Sequence, residues 1–577
     1  MIQILLGNEA FARGAYEAGV RVAAAYPGTP STEITENIAK YGEVYTEWSP
    51  NEKVALEVAI GASIGGARAL ACMKHVGLNV AADPLFTAAY TGVNGGLVII
   101  VADDPGMHSS QNEQDSRCYA KAAHVPMLEP SDSMEAKDFM RFAYDISEKF
   151  DTPVLVRSST RVSHSRGLVK VMDRKDVPLK EYKKDIRKYV MMPGMARVRH
   201  VEVEKRETGM ESFAETFALN RVEMADTKTG VITSGIPYTY VKEALPDASV
   251  LKLGMVHPLP KKLIADFAKK VDKLYIIEEL EPFFEEQILA MGISCEGKAL
   301  FTRQGEYSAN MLREKILGVK AEFNQTEDLP QRPPVLCAGC PHRGVFYTIN
   351  KLKLSVMGDI GCYTLGALPP LSAMDAVVCM GASIGMTMGM EKARGSGAAR
   401  HTVAVIGDST FIHSGIAPLI DMVYNGGTST VMILDNSTTG MTGHQNHPGN
   451  GKDIRGREAP VLDIEQLCKT IGVKHVAVAD PFDLFELEKI LKKETEREAL
   501  SVVIVRRPCL LLDGKSVKPS VLIKGCKNCG RCLKLGCPAL IKGDKEVTVD
   551  ETLCTGCGLC IKVCPHDAIH AGKAGKK

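Results

Sequence analysis

Eight of the 17 cysteines lie between Cys526 and Cys564, in two tightly spaced runs. The first is Cys526-x2-Cys529-x2-Cys532-x4-Cys537-Pro538 and the second is Cys554-x2-Cys557-x2-Cys560-x3-Cys564-Pro565. Three thiolates within seven residues can occupy three corners of one iron–sulfur cubane, and the fourth cysteine of each run then ligates the other cluster. The spacing therefore predicts one [4Fe-4S] cluster on Cys526, Cys529, Cys532 and Cys564, and a second on Cys537, Cys554, Cys557 and Cys560. Structural zinc is the alternative, but zinc favours two separated C-x2-C hairpins. A third cysteine two residues on, and the Cys-Pro closure, argue for cubanes. A segment this short is constrained to wrap its inorganic groups, and the chain must handle electrons one at a time.

With 577 residues, the chain has room for about four domains of roughly 100–200 residues each. Hydrophobic residues make up 45% and charged residues 24%, the balance of an ordinary globular protein. A formal net charge of +1 gives no argument for nucleic acid or a membrane surface as partner. No stretch stays apolar for the ~18 residues that a membrane-spanning helix needs, and the N-terminus lacks the pattern of an export signal. Many cysteines without an export signal place the chain in a reducing compartment. A cytoplasmic, anaerobic setting is the expectation, with thiols serving as ligands rather than disulfides.

Patterning predicts an α/β multidomain chain. Residues 1–165 alternate buried-strand runs such as Leu97–Val101 and Val154–Val156 with Ala/Gly-rich helical stretches, as parallel sheets do. Residues 166–208 are heavily charged and weakly periodic, and are expected to be a linker. A second α/β domain is expected at 209–320, with strands in VITSG, VLKLG and LYIIEE. A polar stretch from Glu322 to Pro334 marks a boundary. A third α/β domain is expected at 335–510, with strands in VAVIG, TVMILDN and SVVIVRR. An α+β two-cluster ferredoxin domain is expected at 517–572, and the Gly/Lys-rich end is expected to fray.

In the third domain VAVIG ends in Gly407-Asp408-Ser409, and VMILD ends in Asn436-Ser437-Thr438. An acidic residue and an amide at neighbouring strand ends converge at the mouth of a parallel sheet. Asp408, Asn436 and a backbone carbonyl near Thr438 would offer three hard oxygens, which diphosphate oxygens and water could complete to an octahedral Mg2+ site. The Gly381-Ala382-Ser383 stretch could open a helix whose free N–H groups meet the diphosphate. Two ordinary strand-end turns are the alternative reading.

Here the residues carry a resemblance. Gly407-Asp408-Ser409 followed by Asp435-Asn436 resembles the thiamine diphosphate motif GDG…NN, departing from it at Ser409 and Asp435. YPGTPST at Tyr26–Thr32 resembles the YPITPS loop of the 2-oxoacid:ferredoxin oxidoreductases. Ser49–Ser63 resembles the segment with that family's cofactor-activating glutamate, which maps onto Glu52. With LCAGCPHR, GDS…DN and the terminal ferredoxin run, the chain is identified as a member of that family, most similar to its indolepyruvate-type alpha subunits. The resemblance implies two doubly wound thiamine-diphosphate-binding domains with an α/β domain between them. It implies oxidative decarboxylation of an aryl 2-oxoacid to the acyl-CoA and CO2, with electrons passing through [4Fe-4S] clusters to ferredoxin. Thiamine diphosphate, Mg2+ and CoA are the implied cofactors and co-substrate. A beta subunit carrying the family's remaining domain is the implied partner, in a heterodimer or α2β2 assembly. Other 2-oxoacids (pyruvate, 2-oxoisovalerate), an electron-transfer subunit with an inactive thiamine fold, and a non-oxidative decarboxylase are the competing readings.

Several residues keep two readings. Glu52 is either the cofactor-activating acid or the N3 member of a capping box begun by Ser49; Glu47 and Glu57 are weaker substitutes. Thr29 either caps a helix or, by resemblance, meets the substrate carboxylate. Lys74 and His75 either line the active cleft or lie on the surface. His444 and His447 sit either in a solvated loop or in a lid near the cofactor. In related oxidoreductases a CPGC pair and two later cysteines hold a further cluster; the matching positions are Cys337, Cys340, Cys362 and Cys509. The alternative is a turn that touches the cofactor through Cys340 and His342 with unligated thiols.

Overall fold

The computed structural model describes residues 1–320, 333–512 and 518–572. The chain divides into two compact units, Met1–Thr326 and Glu327–Lys577. Most of the expected boundary after Glu322, part of the lead into the ferredoxin domain, and the terminal Gly/Lys stretch lie outside the described residues.

The first unit is built on a seven-stranded sheet. Its order is Met255–His257, Met127–Leu128, Val154–Ser159, Leu97–Asp103, Ala69–Lys74, Val22–Ala25 and Tyr45–Trp48. All neighbours are parallel except the first pair. The central strands are buried along their whole length, which is why they read as unbroken apolar runs rather than alternating ones. The second α/β domain forms a four-stranded sheet of Lys273–Ile277, Asp226–Thr233, Ala248–Lys252 and Arg221–Glu223, and Met255–His257 crosses from it to the edge of the first sheet.

A buried ion network ties these two sheets together. Arg157 Nε donates to Asp103 Oδ2 at 2.6 Å, and Arg117 bridges Asp115 Oδ2 (2.6 Å) and Glu278 Oε2 (2.6 Å). Glu279 lies in the same seam, accepting from Tyr307 N at 2.8 Å. Burial pushes its carboxyl up to about 7.

The charged stretch 166–208 is not a linker. Arg166–Lys170 pairs antiparallel with Ile2–Leu6, and Ile186–Tyr189 and Pro193–Ala214 are helices. The long helix runs through the expected boundary at 208. Only Val203, Arg206, Met210 and Ala214 of it are buried, so it shows almost no apolar periodicity. Arginines dock it instead: Arg199 Nε donates to Tyr90 O (2.6 Å), and Arg206 donates to Ala89 O (2.7 Å) and Asp151 O (2.8 Å).

The second unit holds a five-stranded parallel sheet ordered Ser355–Met357, Thr402–Gly407, Thr430–Asp435, Ser501–Arg506 and His475–Ala479. The tail adds two small antiparallel ladders, Leu522–Ile523 with Ile569–His570 and Leu540–Lys542 with Val547–Val549. Its core is small: Val521, Leu535, Val547, Leu559 and Val563 pack with Cys532 and Cys560. So little apolar surface cannot stabilise a segment of this size unaided, in keeping with a fold organised around its cysteines.

Candidate functional site

In the second unit, Thr402–Gly407 and Thr430–Asp435 are neighbours with Gly407 opposite Leu434. That register brings Asp408 and Asn436 together at the C-terminal edge of the sheet. Asp408 is buried. Its Oδ1 accepts from Ser409 N at 2.9 Å and its Oδ2 from Ser437 N at 2.8 Å. The side-chain oxygen of Asn436 points at Thr438 O (2.9 Å) and Asp408 Oδ1 (3.1 Å). The Asn436 oxygen thus faces two other oxygens with no proton between them. Turning the amide over would let its nitrogen donate to both; a cation among the oxygens is the other way to satisfy them. Adjacent ligands of an octahedral Mg2+ at 2.0–2.1 Å lie about 2.9 Å apart, close to the 2.9 and 3.1 Å that separate the Asn436 oxygen from Thr438 O and Asp408 Oδ1.

His447, in the Gly-rich loop after Asn436, belongs to this corner. Its Nδ1 accepts from Gly449 N at 3.1 Å, which leaves the proton on Nε2, 3.3 Å from Asp408 Oδ2. Burial pushes the Asp408 carboxyl up, and His447 opposes that rise. His444 is only half-buried and has a left-handed backbone, φ 67°. Ser409 Oγ lies 2.8 Å from Thr439 Oγ1.

One expectation fails here. The helix Ala382–Arg394 does begin after Gly381, but its first amides are not free for a phosphate. Gly381 N (2.8 Å) and Ser383 N (3.1 Å) donate to the buried carboxylate of Asp359, which also accepts from Ile360 N (2.9 Å), and Ala382 N turns back to Cys379 O (3.1 Å). Burial pushes Asp359 up while these amides hold it down. Asp359 was not singled out from the sequence, although Gly358-Asp359 just after a short strand carried the signal.

Cys337, Cys340, Cys362 and Cys509 share one neighbourhood of this unit. Cys340 is pushed up to about 12 by burial and also feels Cys337 and Cys362; Cys362, pushed up to about 11 by burial, feels Cys509 and Cys337. Cys509 N donates to Asn436 O at 2.9 Å, which links this group to the oxygen corner. His342 Nδ1 lies 3.5 Å from Cys340 Sγ.

The tail cysteines fall into two sets around two cavities. Cys526, Cys529, Cys532 and Cys564 line one, with Lys527 and His566. Cys537, Cys554, Cys557 and Cys560 line the other, with Ala338, Gly339 and Arg343 from the start of the second unit's α/β region. These are the two quartets that the spacing pairs, each drawing one cysteine from the other run. Among the described residues, no group of three or more His, Cys, Asp or Glu is placed to hold a metal ion; the sulfurs surround cavities rather than a point.

In the first unit, Glu52 is the first residue of the helix Glu52–Ile64 and is 4% exposed. The capping-box reading is overturned. Asn51 is the cap, its side chain accepting from Val54 N at 2.9 Å. The Ser49 amide that Glu52 would have bonded donates to Ala25 O (2.8 Å) instead, and Ser49 Oγ donates to Glu47 Oε1 (2.7 Å). Glu47 is thereby occupied, and exposed Glu57 pairs with Lys53. The Glu52 carboxyl lies against Gly77: a Cβ there would sit 2.6 Å from Glu52 Oε1.

Lys74 is 9% exposed and donates to Ser109 O at 2.8 Å. Burial pulls it down to about 8, with Asp104 and Glu52 as the opposing charges. Its side chain packs on Gly28 of the Tyr26–Thr32 loop. His75 is buried too, so neither is a surface residue. Thr29 does not cap a helix: the helix Thr32–Ile38 starts later, with Ser31 at the cap position. Thr29 is half-buried in a loop pinned by Asn8 Nδ2 donating to Pro30 O at 2.6 Å.

Known proteins match this arrangement. Residues 13–226 match the model of the pyruvate flavodoxin/ferredoxin oxidoreductase thiamine diphosphate-binding domain. Residues 359–505 match the C-terminal TPP-binding domain of thiamine pyrophosphate enzymes, and residues 547–570 a 4Fe-4S binding domain. The indolepyruvate oxidoreductase subunit IorA of Archaeoglobus fulgidus is 42% identical over 99% of this chain and 97% of its own length. The protein of the same name from Pyrococcus horikoshii is 41% identical, over 99% of this chain and 97% of its own. A solved 2-oxoglutarate:ferredoxin oxidoreductase from Magnetococcus marinus is 17% identical with a TM-score of 0.47, covering 55% of this chain and 65% of that one, too slight a likeness to argue from.

Proposed function

Because the chain belongs to the indolepyruvate oxidoreductase subunit IorA family, we propose that it oxidatively decarboxylates aryl 2-oxoacids such as indolepyruvate, transfers the acyl group to coenzyme A and delivers the electrons to ferredoxin. It is a thiamine-diphosphate and iron–sulfur oxidoreductase of the 2-oxoacid:ferredoxin class. The finer assignments are our reading of its residues. Asp408, Asn436 and the Thr438 carbonyl would hold Mg2+ and, through it, the diphosphate. His447 would stand beside Asp408, its Nε2 3.3 Å from Oδ2. The two tail quartets would each hold a [4Fe-4S] cluster. Cys337, Cys340, Cys362 and Cys509 are the ligands of a third, if one is present. A second subunit would complete the enzyme.

When bound, thiamine diphosphate supplies the electron sink for decarboxylation. The protein's part is to place a proton and exclude water. Glu52, at a helix start and buried, would hold or move a proton at the cofactor's aminopyrimidine ring. Lys74 anchors the Ser109 backbone beside it. Thr29 would meet the substrate carboxylate.

The observation that carries the reading is the convergence of the Asn436 side-chain oxygen, Thr438 O and Asp408 Oδ1 at the end of the parallel sheet. The test is anaerobic purification with the partner subunit, then assay of several 2-oxoacids with CoA and a dye acceptor. Aryl pyruvates should be oxidised fastest, with acyl-CoA as product. Free aldehyde as the main product, with CoA and oxidant both present, would favour a non-oxidative decarboxylase instead.

A further inference from the structure

Arg343 is the second residue of the helix His342–Leu352 and is only 2% exposed. Its Nε donates to Cys337 O at 2.9 Å, its Nη1 to Leu535 O at 2.9 Å, and its Nη2 to Leu336 O. Every acceptor is a neutral backbone carbonyl. Among the described residues no carboxylate pairs with it, and a buried guanidinium without one is costly and calls for a counter-charge. The strongest opposing charges it feels come from thiols: Cys537, Cys340, Cys337 and Cys557. It also lines the cavity enclosed by Cys537, Cys554, Cys557 and Cys560. Gly536, at φ +64°, keeps the approach open, since a Cβ there would lie 3.2 Å from Arg343 Nη1.

The two quartets therefore sit in different electrostatic surroundings. The inner one, on Cys537, Cys554, Cys557 and Cys560, faces a buried fixed cation and the Cys337–Cys340 turn. The outer one includes exposed Cys529, and the cation lining its cavity, Lys527, is solvent-exposed. Exposed charge is screened by water and salt, whereas buried charge is not.

We propose that Arg343 is the residue that sets the potential of the inner cluster, making it easier to reduce than the same four cysteines alone would. This rests on the reading that the quartet holds a [4Fe-4S] cluster. Four thiolates leave such a cluster negative, and reduction adds one electron without moving a bond or a proton. Net charge and hydrogen bonding around the sulfurs are the levers that set these potentials. A cation held beside the cluster stabilises the more negative, reduced state. Arg343 is a positioning and tuning residue: it fixes the turn that carries Cys337 through two carbonyls and the cluster loop through a third.

The test is an EPR-monitored redox titration of the full, anaerobically prepared enzyme, with iron content measured on each sample. Arg343→Gln keeps a neutral hydrogen-bond donor and removes the charge; Arg343→Lys keeps the charge, and both lose the three-carbonyl fork. The expected result for R343Q is an about tenfold less favourable reduction of one cluster, about 59 mV lower for a one-electron couple. R343K should stay near the wild-type value. The shifted signal should be the one lost in Cys557→Ala, and the outer cluster should not move. A purely structural role would give the reverse, with both variants losing iron or both shifting alike, and either outcome overturns the proposal. So does an iron-replete R343Q whose two signals titrate as in wild type. Wild-type protein without tail clusters would instead sink the underlying reading of the quartets.

Discussion

The contact between Gly77 and Glu52 allows position to be tested apart from chemistry. Gly77 lies within the helix His75–Val80, where alanine is ordinarily favoured over glycine by about 0.5–1 kcal/mol. An alanine Cβ would stand 2.6 Å from Glu52 Oε1, 2.7 Å from Cγ and 2.9 Å from Cδ. All three atoms belong to one side chain, so the carboxyl must retreat by about 0.8 Å to reach an ordinary 3.4 Å contact. The fold has little to lose, because the helix gains propensity while one side chain rotates. Catalysis does, since a misplacement of about 1 Å costs on the order of 10²-fold. Gly77→Ala should therefore melt within about 1 kcal/mol of wild type yet oxidise 2-oxoacids on the order of 10²-fold more slowly, with cluster absorbance intact. Thermal melts and the dye-linked assay on the same sample measure both. Wild-type turnover in a well-folded Gly77→Ala would refute the claim that Glu52 acts through its position.

Glu52→Gln should slow oxidation by about 10²–10⁴-fold, the usual contribution of a proton-handling side chain, while the cluster absorbance persists; unchanged turnover would leave Glu52 a structural residue. Cys557→Ala should empty the inner quartet and remove about four irons per chain, the content of one [4Fe-4S] cluster; full iron with normal reduction of ferredoxin would contradict its assignment. Total iron in wild type decides the Cys337, Cys340, Cys362 and Cys509 group, since two cubanes give about eight irons and three give about twelve. Glu279, pushed up to about 7 by burial, links stability to pH. Between about 4.5, where the unfolded chain releases this proton, and about 7 the folded state still holds it, so stability falls as pH rises through that window. Glu279→Gln cannot ionise, and its advantage over wild type in the melt should grow across the window toward about 3 kcal/mol. An advantage that does not change with pH would show that the carboxyl is not held neutral.

What was legible in the sequence is what local spacing encodes. The spacing of the cysteine runs predicts the two groups that line the two tail cavities, and the fully buried strand runs marked the parallel sheets. Asp408 and Asn436 could be read because each ends a strand, and strand ends converge. The helix Pro193–Ala214 could not be read, because arginines bonded to backbone carbonyls dock it in place of an apolar stripe. The two readings of Glu52 could not be separated in the sequence, because Ala25 O, distant in sequence, claims the Ser49 amide. The Gly381 helix start misled for a similar reason: Asp359 reaches its amides from 22 residues away. Arg343 gave no signal at all, since a buried cation is recognised only once its carbonyl partners and facing thiols are assembled.

The central claim is that thiamine chemistry and iron–sulfur clusters work as one device in this chain. The most direct measurement is the visible absorbance of the clusters in anaerobic, iron-replete protein with the proposed second subunit, as thiamine diphosphate, Mg2+ and indolepyruvate are added in turn. Bleaching is expected only when all three are present, and none in Asp408→Asn. Clusters that never bleach in the complete wild-type mixture, although dithionite still reduces them, would contradict it.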